Sequence, residues 1–143
     1  MTVPEAPAAC TALRFRKAAR RVSQIYDAYL APFGLTITQY GLLAHIRRLP
    51  GCSIGSLAAE LVMDPTTLTR NLRPLRQREL VELAPDRHDR RTRTLRLTAR
   101  GRAALAKGRG GWERAQAHMA QVLGPDHGPL GDAIDAMLAR LGN

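Results

Sequence analysis

Between Thr66 and Arg73 the chain sets Thr66, Thr67, Thr69, Arg70 and Arg73 around an apolar Leu68 and Leu72. Threonine offers a hydroxyl and a methyl group. Arginine offers a planar fork of donors. On an exposed helix face these groups match base-pair edges: arginine holds guanine in two hydrogen bonds, and threonine meets a thymine methyl or a phosphate. Pro65 opens the same stretch, and Arg76 continues it. A second basic cluster follows, with Arg87, Arg90, Arg91 and Arg93. Guanidinium groups there suit a phosphate backbone or a narrow A·T-rich minor groove, where the potential is most negative. Asp89 stands among them and opposes a polyanion. It makes sense if its carboxylate holds Arg91 in position.

The whole chain agrees with a polyanionic partner. Its 143 residues suit one domain with a real core, and the formal net charge is +10. The charge is unevenly spread. Arg14 to Arg21 holds five bases and no acid, and Asp64 to Arg102 holds eleven arginines against five acids. Ala115 to Asn143 holds one arginine against three aspartates. An anionic membrane is the poorer partner, because the basic blocks lack interleaved Trp, Phe and Leu. No apolar run of ~18 residues is present to span a bilayer. The N-terminus "MTVPEAPAACTALRFRK" has no apolar region behind a basic start, so no secretory signal is read there. Two cysteines, Cys10 and Cys52, make neither a disulfide framework nor a zinc set. A cytoplasmic protein with reduced thiols is expected, without metal or cofactor. Glycine-rich phosphate loops, paired metal ligands and nucleophile motifs are absent from the sequence, so an enzyme is not expected.

The elements that must position these groups are legible in the hydrophobic period. Val22, Ile25, Tyr26, Tyr29, Leu30 and Phe33 form one stripe of a helix from about Thr11 to Ala31, ended by Pro32 and Gly34. Thr36 and Gln39 read as a capping box for a second helix, with Tyr40, Leu43, Ile46 and Leu49 inward. Ser53 caps a short third helix with Leu57, Ala58 and Leu61 inward. Asp64 and Pro65 start a fourth, with Leu68, Leu72, Leu75 and Leu80 toward the core. The period then changes to two. Val81 and Leu83, then Leu95 and Leu97, predict two strands around the nine-residue loop "PDRHDRRTR". Helix resumes near Ala99, weakened by Gly108, Gly110 and Gly111. A last amphipathic helix carries Leu130, Ile134, Met137, Leu138 and Leu141. The fold class expected is mainly α with a small β-hairpin wing. It is one domain, 1–143. Residues 35–98 form a winged helix-turn-helix DNA-binding lobe, and 1–34 and 99–143 are helices for packing against a second copy. A non-specific architectural DNA-binding protein is the alternative.

In this order the elements resemble the MarR family of bacterial transcriptional regulators over nearly the whole chain. The most specific run is "DRRTRTLRLTARGR", Asp89 to Arg102, similar to the family's wing-to-helix signature. "SLAAELVMDPTTLTRNLRPLRQRELV" resembles its helix-turn-helix, and "LAPFGLTITQYGLL" the joint between its first two helices. The resemblance implies a homodimer on double-stranded DNA, with recognition helices in successive major grooves of a pseudo-palindromic operator. It implies wings in the flanking minor grooves, Arg91 at the wing tip and Asp89 as its brace. It also implies a repressor released by a small molecule or an oxidant.

Three departures stand out. Val62 and Met63 occupy a turn where glycine is usual, and a β-branched residue disfavours positive φ, so a differently shaped turn is expected. Pro74 lies inside the recognition helix and predicts a bend, which either aims Arg76 and Arg78 along the backbone or has no function. Gly110-Gly111 predicts a hinge or a weak helix. For an effector, the polar-tipped candidates are Arg14, Tyr26, Tyr29, Tyr40 and His45, although a tyrosine can equally be core with a hydrogen-bonded hydroxyl. For an oxidant the candidate is Cys10, at a helix start and near Arg14 and Arg16. The family's sensing cysteine would align two positions away, at about Ala12.

Overall fold

The first helix, α1, runs Thr11–Leu30, followed by a 3-10 turn at Ala31–Phe33 and by α2, Ile37–Arg48. The computed structural model describes residues 9–142. The first half of the signal-peptide reading and the outermost residues of both dimerisation segments lie outside them. The expected capping box is complete: Thr36 Oγ1 accepts from Gln39 N–H, and Gln39 Oε1 accepts from Thr36 N–H, both at 3.2 Å. A second lock was not legible in the sequence. Asp27 Oδ1, on α1, accepts from Ile37 N–H at 2.7 Å. It satisfies a first-turn donor of α2 and fixes the angle between the two helices.

After the turn at Pro50 come β1, Cys52–Ser53, and α3, Ile54–Glu60, capped by the Ser53 hydroxyl. Next is α4, Pro65–Gln77, then β2, Val81–Pro85, and β3, Arg93–Leu97. The sheet has three antiparallel strands in the order β1-β3-β2, with Val81 opposite Leu97 and Cys52 opposite Leu95. Two residues are too few to show a period, so β1 was missed. The hairpin tip is shorter than the nine residues expected. Pro85 pairs with Arg93, and Asp86 N–H donates to Thr92 O at 2.8 Å, which extends the ladder beyond the apolar residues. Pro85 is tolerated because β2 is an edge strand.

Leu30, Leu43, Ile46, Leu57, Leu68, Leu72, Leu75 and Leu95 are fully buried and join α1 to α4 with the sheet in one core. Each contributes roughly 1.5–3 kcal/mol by leaving water. Leu49 and Leu61, expected inward, are only half-buried.

Two helix ends use the same device. After α3, Met63 N–H reaches Ala58 O and Val62 N–H reaches Ala59 O; after α4, Leu80 N–H reaches Leu75 O and Glu79 N–H reaches Arg76 O. This is the Schellman arrangement, which needs a left-handed residue between. Val62 and Glu79 supply it, at φ 53° and 57°. The turn at Val62 therefore keeps the shape a glycine would give it. The expectation of a different turn fails because the two hydrogen bonds and the exposed Val62 side chain, 79% accessible, outweigh the Cβ strain.

Helix α5, Ala99–Leu123, is unbroken across its glycines. The expected hinge at Gly110-Gly111 is corrected by packing. A Cβ on Gly101 would lie 1.9 Å from Leu80 O, and one on Gly111 2.6 Å from Tyr29 O. One on Gly108 would press Leu35 and Tyr40 at 3.2 Å. These glycines let α5 approach neighbouring backbone and side chains, which offsets a propensity cost of ~1 kcal/mol each. Helix α4 likewise continues through Pro74, which leaves the Arg70 carbonyl without its intrahelical partner. The last helix, α6, His127–Leu141, buries no residue in the single chain. Leu130, Leu138 and Leu141, with Leu13, Phe15 and Val22 of α1, stand exposed. No helix among the described residues is long and apolar enough to cross a membrane.

Candidate nucleic-acid interface

The recognition surface begins with the cap of α4. Asp64 Oδ2 accepts from Thr66 N–H at 3.0 Å and from Thr67 N–H at 3.2 Å. Pro65 occupies the first helical position, where no N–H is needed. Such a cap is worth ~1 kcal/mol and holds the first turn rigid. At about 100° per residue, burial of Leu68, Leu72 and Leu75 turns Thr66, Arg70, Arg73 and Gln77 to the opposite face. Pro65, Thr66, Thr67, Thr69, Arg70, Arg73 and Arg76 are all exposed. The Thr69 hydroxyl donates to Pro65 O at 2.9 Å, so its oxygen is left as an acceptor and its methyl as an apolar contact. Thr69, Arg73 and Arg76 also flank a groove of about 700 Å³ between α4 and β2, whose far wall carries Glu79 and Glu82. Gln77 shares this exposed face with Arg70 and Arg73 and was not singled out in the sequence. The four-residue step from Arg73 would have found it.

The wing tip is built on Asp89, whose carboxylate holds the backbone of Arg91. Its Oδ1 accepts from Arg91 backbone N–H at 3.0 Å, its Oδ2 faces the Thr92 hydroxyl at 3.4 Å, and its carbonyl accepts from Thr92 N–H at 3.0 Å. An aspartate two residues before an N–H forms this local turn readily. Among the described residues the ion pairs are Arg48–Glu60, Arg100–Glu79 and Arg109–Glu113. Asp89 thus braces the Arg91 backbone, and the guanidinium groups of Arg87, Arg90 and Arg91 are left exposed.

The base of the wing is tied to α4 and α5 together. Thr98 N–H donates to Leu80 O at 3.1 Å, and its hydroxyl donates to Glu79 O at 2.6 Å. The same hydroxyl oxygen caps α5 by accepting from Gly101 N–H at 3.0 Å. The run Leu97-Thr98-Ala99-Arg100-Gly101 therefore has a mechanical reading. Leu97 is core, Thr98 is the knot, and Gly101 makes room for the knot.

The effector candidates separate into three places. Tyr26 donates its hydroxyl to Gln116 Oε1, and the Tyr29 hydroxyl bonds His118 Nδ1 at 2.8 Å. Both tyrosines stitch α1 to α5. Tyr40 and His45 instead line a cleft of about 560 Å³ between α2 and α5, with Arg47, Arg109 and Trp112. Tyr40 stacks on Trp112 with centroids 6.1 Å apart, and His45 Nδ1–H donates to Gly41 O at 2.7 Å. Burial raises the Tyr40 hydroxyl pKa above 10.0 against the lowering effect of Arg47 and Arg109, and burial alone raises that of Tyr26. Arg47, Arg109 and Trp112 were not singled out in the sequence; Trp112, four residues after Gly108, follows the helical step of the buried face. Arg14 lies elsewhere, in a groove on α1 with Lys17, Arg20 and Arg21. Cys10 is exposed at the N-cap of α1. Cys52 is half-buried, and burial raises its thiol pKa.

A capped helix with threonines and arginines outward, following a tight helix-helix turn and followed by a basic hairpin, defines a winged helix-turn-helix DNA-binding protein. A model of the MarR family matches residues 33–92. The M. tuberculosis transcriptional regulator MosR, solved in complex with DNA, is 38% identical with a TM-score of 0.73, over 90% of this chain and 98% of that one. The transcriptional repressor CouR, solved on a 23-mer DNA duplex, is 27% identical with a TM-score of 0.78, over 95% and 94%. An uncharacterised HTH-type transcriptional regulator of Bacillus subtilis, YhbI, is 28% identical over 88 residues, and the match spans 57% of its length. The chain belongs to the MarR family of DNA-binding transcriptional regulators.

Proposed function

We propose that the chain is a homodimeric repressor whose two α4 helices read a pseudo-palindromic operator. The observation that carries this reading is the rigidly capped face of Thr66, Thr67, Arg70 and Arg73, beside a wing tip with three exposed arginines. Arg70 and Arg73 read bases, and Arg76, Arg87 and Arg90 hold phosphates. Arg91 enters the flanking minor groove, held by Asp89. The DNA complexes of MosR and CouR support the partner, and CouR supports repression. The dimer is supported by Leu13 and Phe15 of α1 and Leu130, Leu138 and Leu141 of α6, which stand exposed among the described residues. Hydroxyl-radical footprinting on the protein's own upstream DNA tests this. Two protected half-sites about one helical turn apart, with protected minor grooves outside them, are expected. A single continuous footprint without symmetry would contradict the dimer.

Release from DNA is assigned to a small aromatic or acidic ligand in the cleft between α2 and α5. Tyr40 and Trp112 offer flat apolar walls there, and Arg47 and Arg109 offer cations. Trp112 is the single tryptophan, so its fluorescence reports occupancy. A second reading, release by oxidation of Cys10, is favoured by that thiol's exposure at a helix start. Peroxide that dissociates the wild-type complex but spares Cys10→Ser selects it; an equal response of both proteins excludes it.

A further inference from the structure

Three guanidinium groups from distant parts of the chain line a second cleft of about 320 Å³, which shares Arg47 with the cleft beside Trp112. Arg47 comes from the end of α2, Arg96 from β3 and Arg102 from the first turns of α5, with Ile46, Pro50 and Leu97 between them. Ile46 and Leu97 are buried, so the lining has apolar ground beneath a charged rim. Among the described residues, none of the three arginines joins an ion pair. Glu82 is the cross-strand neighbour of Arg96 on the same face of the sheet; it lines the groove beside α4 and is not among the lining residues of this cleft. Arg102 is already positioned: its Nη1–H donates to Leu97 O at 3.1 Å, and the other donors of its fork remain.

This cleft lies apart from the surface proposed to read DNA. Strand β3 starts at Arg93 beside the wing tip, and the cleft takes only its last residues, Arg96 and Leu97. No residue of α4 or of the tip lines it. With no carboxylate among its lining residues the cleft attracts an anion, and planar forks suit the oxygens of a phosphoryl group. We propose that the cleft is a binding site for a free, small phosphoryl-bearing anion carrying at least two negative charges. Its occupant would bridge α2, the base of the wing and α5.

The test is calorimetric titration of the full chain with sodium pyrophosphate at fixed ionic strength. Saturable binding, one pyrophosphate per chain, is expected. Arg96→Gln should weaken it at least tenfold, because Arg96 lines this cleft and not the one beside Trp112. Arg91→Ala, at the wing tip, should leave it unchanged. Arg102→Gln, which also lines this cleft and not the one beside Trp112, gives a second variant should Arg96→Gln not fold, as judged by circular dichroism. Absence of saturable heat overturns the proposal. So does equal weakening by Arg96→Gln and Arg91→Ala, which would mark diffuse charge attraction. A duplex-DNA arm settles the source of the phosphate. If pyrophosphate does not bind while Arg96→Gln lowers the salt slope of DNA binding by about one, the cleft is a backbone contact and the proposal is wrong.

Discussion

At the scale of single residues, the side chains proposed to touch DNA are held by backbone bonds and not by ion pairs. The Asp64 carboxylate serves two N–H groups of α4, and the Asp89 carboxylate serves the N–H of Arg91. Acids in a basic surface thus shape it without neutralising its guanidinium groups. Arg91→Ala removes a charged contact and no core group. Its affinity for the operator should fall by roughly tenfold or more, about the worth of one charge-assisted hydrogen bond, with an unchanged melting temperature. Gel-shift titration with a melting curve checks both halves, and an unaltered affinity excludes a wing contact at Arg91. Arg70→Ala should differ in kind. If Arg70 holds a guanine, the variant loses ~1–3 kcal/mol of discrimination against a mismatched operator. Equal loss on every sequence would reduce Arg70 to a phosphate contact.

At the scale of elements, the sequence was most readable where period and caps agreed. The capping box at Thr36, the cap at Asp64 and the leucines at 68, 72 and 75 were all legible, because each is a local rule. The reading face of α4 followed from them by subtraction. Strand β1 was not legible, being two residues long and defined only by its partner β3. Nor was the role of Arg47 and Trp112, which depends on how α5 crosses α2. The glycines of α5 misled for a related reason. Propensity sees only their cost, whereas their use lies in residues far away in sequence, Leu80 and Tyr29. The two adjacent glycines give a paired prediction. Gly110 has only the flexible end of Arg114 nearby, so Gly110→Ala should stabilise the fold by about 0.5–1 kcal/mol. Gly111→Ala pushes a methyl into Tyr29 O and the Phe33 ring and should destabilise it by roughly 1–3 kcal/mol. Urea midpoints measure both. Similar shifts of one sign would contradict the packing explanation.

At the scale of the whole molecule, one core carries a basic surface, proposed to face DNA, and exposed apolar residues elsewhere. The basic residues of α4 and the wing occupy the first, and Leu13 and Phe15 of α1 with Leu130, Leu138 and Leu141 of α6 make up the second. The seam between them is where α5 meets α1 and α2, and Tyr40 sits in it. Its raised pKa gives a sign that can be checked. The folded state resists ionising Tyr40, so this contribution to stability is fully present below pH 10 and is lost as pH rises beyond it. The urea midpoint of Tyr40→Phe should therefore fall less than that of the wild type between pH 9 and pH 11. Parallel loss would show that Tyr40 ionises as freely folded as unfolded. Above all of this stands the claim that α4 and the wing read a particular sequence. It is tested most directly by titrating the pure protein against its own upstream DNA and against a scrambled duplex at ~150 mM salt. A preference of roughly a thousandfold or more is expected of a specific regulator. Near-equal, steeply salt-dependent binding to both would contradict sequence reading at that site and return the chain to non-specific architectural binding.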